Sequence, residues 1–147
     1  MNQLTKLSIT ATLMLGQISH AQRFDKVSIE TINVSDHVYM LVGAGGNIGL
    51  SIGEDGVFVI DDQFAPLSEK IHNAIKALSD KDITFLVNTH HHGDHTGGNE
   101  NMQKLGATII AHDNVRQRMA TTPKRNGSFE TKAALPILTF NDKLSLY

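Results

Sequence analysis

The sequence predicts an α/β layered domain, in which helices pack on at least one sheet. Three observations lead to this prediction. Short segments of alternating apolar and polar residues fill the region from Val27 to Asp61, and turn residues separate them. Between Pro66 and Asp80, apolar residues recur at spacings of three and four, which is the period of an amphipathic helix. Beyond that helix, apolar strand-like runs alternate with helical patterns.

The first of these regions predicts a meander of four strands joined by hairpin turns. Its segments are "VSIETINV", "HVYMLV", "NIGLSIG" and "VFVID", with "GAGG" between the second and the third. The residues of the first segment that we expect to face the core are Val27, Ile29, Ile32 and Val34. The continuous apolar run from Val57 to Ile60 predicts a strand that is buried on both faces.

The helix "PLSEKIHNAIKALSD" follows, and Pro66 suits its first turn. Its expected inward residues are Leu67, Ile71, Ile75 and Leu78. "ITFLVNT" is then a hydrophobic strand that runs directly into a cluster of histidines.

After the cluster, "NENMQKLG" predicts a short helix that stops at Gly106, and "ATIIA" predicts a buried strand. "DNVRQRMA" predicts a helix with Asp113 as its N-cap. "TTPKRNGS" is a loop, and "LPILTFNDKLSLY" starts a strand pattern again. Because the final "KLSLY" stops in the middle of its alternation, we expect the sequence to be truncated at the C-terminus.

The composition is that of one ordinary globular domain. The chain has 147 residues, of which 40% are hydrophobic and 19% are charged, and its formal net charge is −2. This charge gives no reason to expect nucleic acid as a partner, and the absence of tryptophan weakens the case for a surface on which bases stack. Because cysteine is also absent, any metal must be held by histidine and carboxylate.

The N-terminus predicts a secretory signal peptide at residues 1–21. Lys6 supplies one positive charge, a mostly apolar run follows, and Ser19 and Ala21 occupy the small-residue positions of a cleavage site. The run is too short to span a membrane. We therefore expect cleavage after Ala21, export to the periplasm or the medium without a membrane anchor, and a mature domain at residues 22–147.

The histidine cluster is the strongest chemical signal in the chain. Four of the eight histidines lie between His90 and His95, in the run "NTHHHGDHTGGN". In an extended segment, residues two apart point to the same side, so His90 and His92 can hold one metal ion while His91 turns away, to a rim position that faces substrate. Gly93 permits a sharp turn, after which Asp94 and His95 point toward a second ion. Imidazole with carboxylate suits Zn²⁺, and less exclusively iron or manganese.

The pattern H-x-H-x-D-H at His90, His92, Asp94 and His95 resembles the signature of the metallo-β-lactamase superfamily. The upstream "VFVIDDQ" is similar to that superfamily's strand ending in an aspartate, here Asp61. The resemblance implies that His90 and His92 belong to a first metal site and that Asp94 and His95 belong to a second. It also implies that Asp61 orients one of the ligands.

The resemblance extends from Val27 to Tyr147, and it implies the first half of a four-layer αβ/βα sandwich. The remaining metal ligands of the family would then lie beyond Tyr147. The overall run is most similar to secreted, β-lactamase-like members of the family, and it is less similar to glyoxalase II or the RNA-processing nucleases.

The mechanism that the resemblance implies is hydrolysis of a small-molecule substrate by a site that holds two Zn²⁺ ions. A metal-bound hydroxide attacks a carbonyl carbon, and Asp94 orients the nucleophile or accepts its proton. The expected substrate is a β-lactam or a similar cyclic amide or ester. Two alternatives remain open: a thioesterase or lactonase of the same superfamily, and a metal-binding fragment without turnover. The sequence predicts no oligomeric state.

Several other residues admit a functional interpretation that we do not favour. His112 follows a buried strand and is available as a third metal ligand, but a position at the strand end beside Asp113 is the simpler interpretation. "GAGGNIG" is not a dinucleotide motif, because it leads into a strand, so we expect a flexible hairpin turn near the site. We expect Arg116 and Arg118 to lie on a solvated helix face.

Overall fold

The computed structural model of the chain describes residues 23–146. The predicted signal peptide at residues 1–21 therefore lies outside the described residues. The strands are β1 (Glu30–Ser35), β2 (Val38–Val42), β3 (Ile48–Gly53), β4 (Gly56–Ile60), β5 (Ile83–Asn88), β6 (Thr108–His112) and β7 (Leu138–Phe140). The helices that concern the site are α1 (Ser68–Leu78), α2 (Gly93–Thr96), α3 (Asn99–Lys104) and α4 (Asp113–Thr121).

The strands form one seven-stranded sheet, in which they follow one another in sequence order. Strands β1 to β4 pair in antiparallel fashion, as the predicted meander requires. Strands β4 to β7 are parallel, because helical segments connect them. The α/β layered class predicted from the sequence is confirmed.

One face of the sheet packs against helix α1 and forms the main core. Leu67, Ile71 and Ile75 are fully buried, as the helical period predicts, and Leu78 is half-buried. Pro66 lies in a 3-10 turn at Ala65–Leu67 that precedes the helix. This packing anchors the ends of β4 and β5, where the histidine cluster begins.

The opposite face of the sheet is partly exposed, and this overturns part of the prediction for β1. Ile32 and Val34 are 36% and 60% exposed, and their predicted inward positions are wrong. The register explains the result: Thr31 pairs with the buried Leu41, whereas Ile32 pairs with Met40. Since paired residues share a face, the apolar residues of β1 lie on the side away from α1.

The prediction that β4 is buried on both faces is also wrong in part. Val57 and Val59 are fully buried, but Phe58 is only half-buried and Ile60 is 43% exposed. Phe58 and Ile60 lie on the same sheet face as Ile32, which the continuous apolar run of β4 does not reveal.

Helix α4 begins one residue earlier than predicted. His112, and not Asp113, is the N-cap, and its Nδ1 accepts a hydrogen bond of 3.1 Å from the backbone N–H of Asn114. The predicted stop after α3 is confirmed, because Gly106 has a φ of +100° that favours glycine. Residues 141–146 form no strand. No helix within residues 23–146 combines the length and the apolar character needed to cross a membrane.

Candidate metal centre

The candidate site lies where two neighbouring parallel strands end. Strand β4 ends at Ile60 and leads into Asp61, and strand β5 ends at Asn88 and leads into the histidine loop. The backbone N–H of Asp61 donates to the carbonyl of Val87 over 3.0 Å, which holds the two strand ends together. The carboxyl ends of parallel strands are where α/β folds place their ligands.

The histidine loop turns at Gly93, where the sequence analysis expected a sharp turn. Helix α2 begins at Gly93, and the carbonyl of His92 accepts hydrogen bonds from the N–H groups of His95 at 2.9 Å and Thr96 at 3.1 Å. This single helical turn reverses the chain direction. It carries Asp94 and His95 back toward the start of the loop.

The four residues of the predicted ligand set lie close together. The ring centre of His90 is 4.8 Å from that of His92 and 4.0 Å from that of His95. Asp94 joins the group through its Oδ2, which lies 3.5 Å from Nε2 of His95. Within residues 23–146, however, the group whose ligand atoms converge contains His90 and His95 but not His92 or Asp94.

Asp61 lies beneath this cluster and is 3% exposed. Its Oδ1 accepts a hydrogen bond of 2.8 Å from the backbone N–H of Thr89, and its Oδ2 accepts one of 2.7 Å from the Thr89 hydroxyl. Oδ2 also lies 2.7 Å from Nδ1 of His95. Because a carboxylate only accepts, Nδ1 of His95 carries the proton, and Nε2 is the nitrogen left for another partner.

Thr89 extends this arrangement to a second histidine, and sequence reasoning missed it. Its hydroxyl proton goes to Asp61, so its oxygen accepts from Nδ1 of His90, 3.0 Å away. The Nε2 atom of His90 is then available, like that of His95. A threonine directly before the cluster was visible in the sequence, but its contact with Asp61 depends on the packing of two strand ends.

The donor chemistry of these residues fits a divalent metal ion. Among the described residues, ligand atoms of Asp61, His90 and His95 lie within 4.8 Å of one another. The two oxygens of Asp61 already accept three hydrogen bonds, whereas Nε2 of each histidine is not used in this network. The geometry therefore favours the two Nε2 atoms as ligands and Asp61 as the group that orients the rings. Neutral imidazole with a neighbouring carboxylate is a donor set typical of Zn²⁺.

The glycine-rich segment between β2 and β3 lies against the cluster. A methyl group added to Gly46 would be 2.3 Å from Cε1 of His95, and one added to Gly45 would be 2.6 Å from Cβ of Asp94. The predicted position of this turn near the site is thus correct. Gln63, which sequence reasoning missed, is fully buried, and its side chain bonds to the N–H of Ala44 and the carbonyl of Gly46.

Three further buried polar residues support the loop, and none of them was singled out from the sequence. Asn88 and Asn99 exchange hydrogen bonds of 3.0 and 2.9 Å, and Asn88 also donates to the carbonyl of His95. Asp62 is fully buried and accepts a hydrogen bond from Gly98, while its Oδ2 has no partner. Burial raises the pKa of Asp62 to about 8, the Gly98 hydrogen bond opposes this shift, and the charge of Asp61 adds to it.

His91 and His112 do not belong to the cluster. The ring centre of the half-buried His91 is as close to that of His92 as the ring centre of His90 is, at 4.8 Å, but His91 lines a neighbouring cleft and is not in the group of Asp61, His90 and His95. Burial, and then the charges of His92 and Arg118, lower the pKa of His91. His112 caps helix α4, and its Nε2 is 3.1 Å from the carbonyl of Asn141. This geometry agrees with the interpretation of His112 as a strand-end residue.

Comparison with known proteins agrees with this picture. A family model described as the metallo-beta-lactamase superfamily matches residues 41–144. A hydroxyacylglutathione hydrolase from Pelagibacter ubique is 44% identical over 48 residues, which are 31% of this chain and 20% of that protein.

Solved structures with the same fold include two metallo-beta-lactamases. One is BJP-1, a subclass B3 enzyme of Bradyrhizobium japonicum, with a TM-score of 0.69 and 20% identity over 86% of this chain and 51% of that one. The other is the class B3 di-zinc enzyme LRA-12 from an Alaskan soil metagenome, with a TM-score of 0.71 and 23% identity over 82% of this chain and 48% of that one. The chain thus spans about half the length of these structures, which share its fold.

Proposed function

Because the chain belongs to the metallo-beta-lactamase superfamily, we propose that it is the metal-binding part of a divalent-metal hydrolase. The observation that carries the proposal is the approach of the His90 and His95 rings to within 4.0 Å while the Nδ1 atom of each is held by a hydrogen bond. This arrangement leaves both Nε2 atoms for a metal ion. The proposed cofactor is Zn²⁺, with two ions in the intact domain.

In this proposal each residue of the cluster has a separate task. His90, His92 and His95 supply neutral imidazole ligands, and Asp94 supplies a carboxylate. Bound divalent cations would contribute Lewis acidity and would lower the pKa of a water molecule from about 15.7 to near 7. The side chain of Asp94 is 34% exposed, so its carboxylate can contact a substrate and accept a proton there. Asp61 keeps His95 in one tautomer.

The proposed substrate is a small molecule with a strained carbonyl bond, such as a β-lactam. The fold shared with the two B3 metallo-beta-lactamases supports this choice. A thioesterase is the second candidate, and the 48-residue match with the hydroxyacylglutathione hydrolase favours it. We further propose that residues 1–21 direct export, as the pattern at Ala21 predicts, and that the mature chain starts at Gln22.

Zinc binding and turnover of the 147-residue chain test the proposal together. We expect zinc binding in isothermal titration calorimetry, loss of most of that binding in His90→Ala and His95→Ala, and unchanged binding in His37→Ala. His37 is exposed and is the matched control. If all three variants bind zinc like the parent chain, the cluster is not the metal site.

Assays with a chromogenic cephalosporin and with a chromogenic thioester distinguish the two candidate substrates. Each assay is run with and without a chelator. Chelator-sensitive cleavage of the cephalosporin supports the first candidate, and cleavage of the thioester alone supports the second. Zinc binding without cleavage of either compound would identify the chain as a metal-binding fragment without turnover.

A further inference from the structure

A cleft of about 590 Å³ lies beside the histidine loop, on the side lined by His91. Its walls come from the loop at His91 and Gly93, from the segment around Phe64, and from helix α4 with the loop that follows it. The volume lies within the range of pockets that hold small molecules. None of the four predicted metal ligands lines the cleft.

The floor of the cleft is apolar and partly aromatic. The rings of Phe24 and Phe64 pack with their centres 5.0 Å apart and their planes tilted by 44°. Met119 adds a thioether side chain that is 4% exposed. Phe24 is only 9% exposed, and the Arg23 guanidinium carbon lies 5.4 Å from its ring centre and 5.9 Å from that of Phe64. The half-buried Phe64 and the exposed Pro66 therefore form the apolar surface that a flat ligand can contact.

The rim of the cleft is positively charged. Arg118, Lys124 and Arg125 line it, together with one carboxylate, that of Glu130. Nζ of Lys124 lies 2.7 Å from Oε2 of Glu130, so these two charges neutralise each other. Within residues 23–146, neither Arg118 nor Arg125 forms a salt bridge. Two arginines therefore line the cleft without a carboxylate partner in this part of the chain.

We propose that this cleft binds a small aromatic carboxylate. The ring of the ligand packs on the half-buried Phe64 and the exposed Pro66, and its carboxylate pairs with Arg118 and Arg125. Guanidinium groups bind carboxylates through two parallel hydrogen bonds, which gives them an advantage over an ammonium group. The site is separate from the metal ligands, so binding there does not depend on the proposed hydrolysis.

The test is calorimetric titration of the 147-residue chain with 2-naphthoate and with its neutral analogue 2-naphthalenemethanol. We expect the carboxylate to bind at least about tenfold more tightly than the alcohol, because only the carboxylate forms an ion pair with the guanidinium groups. Equal affinities for the two compounds, or no measurable binding of the carboxylate, would overturn the proposal.

The matched variants are Arg118→Gln/Arg125→Gln and Lys132→Gln/Lys143→Gln. Each removes two positive charges, but Lys132 and Lys143 do not line the cleft. We expect the arginine variant to lose about tenfold in affinity for 2-naphthoate and the lysine variant to change by less than about twofold. Equal losses in both variants would mean that net charge alone attracts the anion, and would contradict the proposal.

Two further measurements are needed. The first applies if the arginine variant does not fold, and the second shows whether binding of the carboxylate requires zinc. If the arginine variant is unfolded by circular dichroism, high salt should still weaken binding of the carboxylate to the parent chain without weakening that of the alcohol. The titration is also run with and without bound zinc, and we expect the same affinity. Binding that requires zinc would place the carboxylate on the metal and would refute a separate site, without bearing on hydrolysis.

Discussion

At the scale of single residues, the absence of a side chain at Gly46 is a requirement of the cluster. A methyl group there would meet the His95 imidazole at distances between 2.3 and 2.9 Å, far inside normal contact. The ring cannot move away freely, because Asp61 holds its Nδ1 atom. The glycine loop and the histidine loop are thus packed against each other.

We therefore expect Gly46→Ala to displace His95 and to lower the affinity of the chain for zinc by about tenfold or more. Overpacking should also reduce the free energy of unfolding by about 1 to 3 kcal/mol. Zinc titration and urea unfolding measure the two effects. Gly53→Ala is the control, because nothing lies within 4 Å of its added methyl group, and a similar zinc loss in that variant would contradict the explanation.

The buried carboxylate of Asp61 supplies the second prediction at this scale. In Asp61→Asn the acceptor for His95 and Thr89 loses its charge, so the rings are held less firmly. We expect zinc affinity to fall by about 10 to 100-fold, as for other groups that orient a ligand. Asp36→Asn, on the exposed surface, should have no effect. A loss as large as that of His90→Ala would instead make Asp61 a ligand.

At the scale of elements, the start of helix α4 shows which of two possible roles His112 has. His112 is the last residue of strand β6, and imidazole is also a common metal ligand. In the structure its Nδ1 atom caps helix α4. Since the imidazole accepts the N–H of Asn114, its removal leaves that donor without its partner.

We expect His112→Ala to lower the free energy of unfolding by about 1 kcal/mol, the usual cost of a lost cap. Zinc affinity should stay the same, because the ring does not belong to the cluster. Thermal unfolding and zinc titration of the variant are compared with those of His37→Ala. A fall in zinc affinity specific to His112→Ala would restore its role as a ligand.

At the scale of the whole molecule, Asp62 links stability to pH. Burial raises the pKa of Asp62 to about 8, whereas an aspartate in the unfolded chain has its ordinary pKa of 3.8. Between these two values the folded state keeps a proton that the unfolded state has lost. The stability that depends on this proton is complete below pH 3.8 and is lost as the pH rises toward 8.

We expect the free energy of unfolding of the metal-free chain to fall by up to about 1.4 kcal/mol per pH unit in this window because of Asp62. Asp62→Asn should remove that slope, so that its stability relative to the parent chain rises by about 2 to 4 kcal/mol from pH 5 to pH 8. Urea unfolding across this range measures the difference. If the free energies of unfolding of the two proteins changed with pH in the same way, Asp62 would be ionised in the folded state.

The exposed sheet face is a second property of the whole molecule. Ile32, Ile60 and Leu138 lie in one row across the sheet and are between 36% and 48% exposed. Apolar and polar residues alternate in the sequence as they do in strands, but this alternation does not tell which face of the sheet is covered by other elements. Burial on this face was the least accurate part of the prediction.

The sequence by itself determined the α/β class, the order of the elements and the proposed ligands His90, His92, Asp94 and His95. It could do so because hydrophobic period and close spacing are local properties of the chain. Only the tertiary structure decided that Thr89 joins Asp61 to His90, that Gly46 lies against His95 and that Asp62 is buried without a full set of partners. These contacts join segments that are far apart in the chain, so their geometry depends on how the strand ends pack, which no local pattern records.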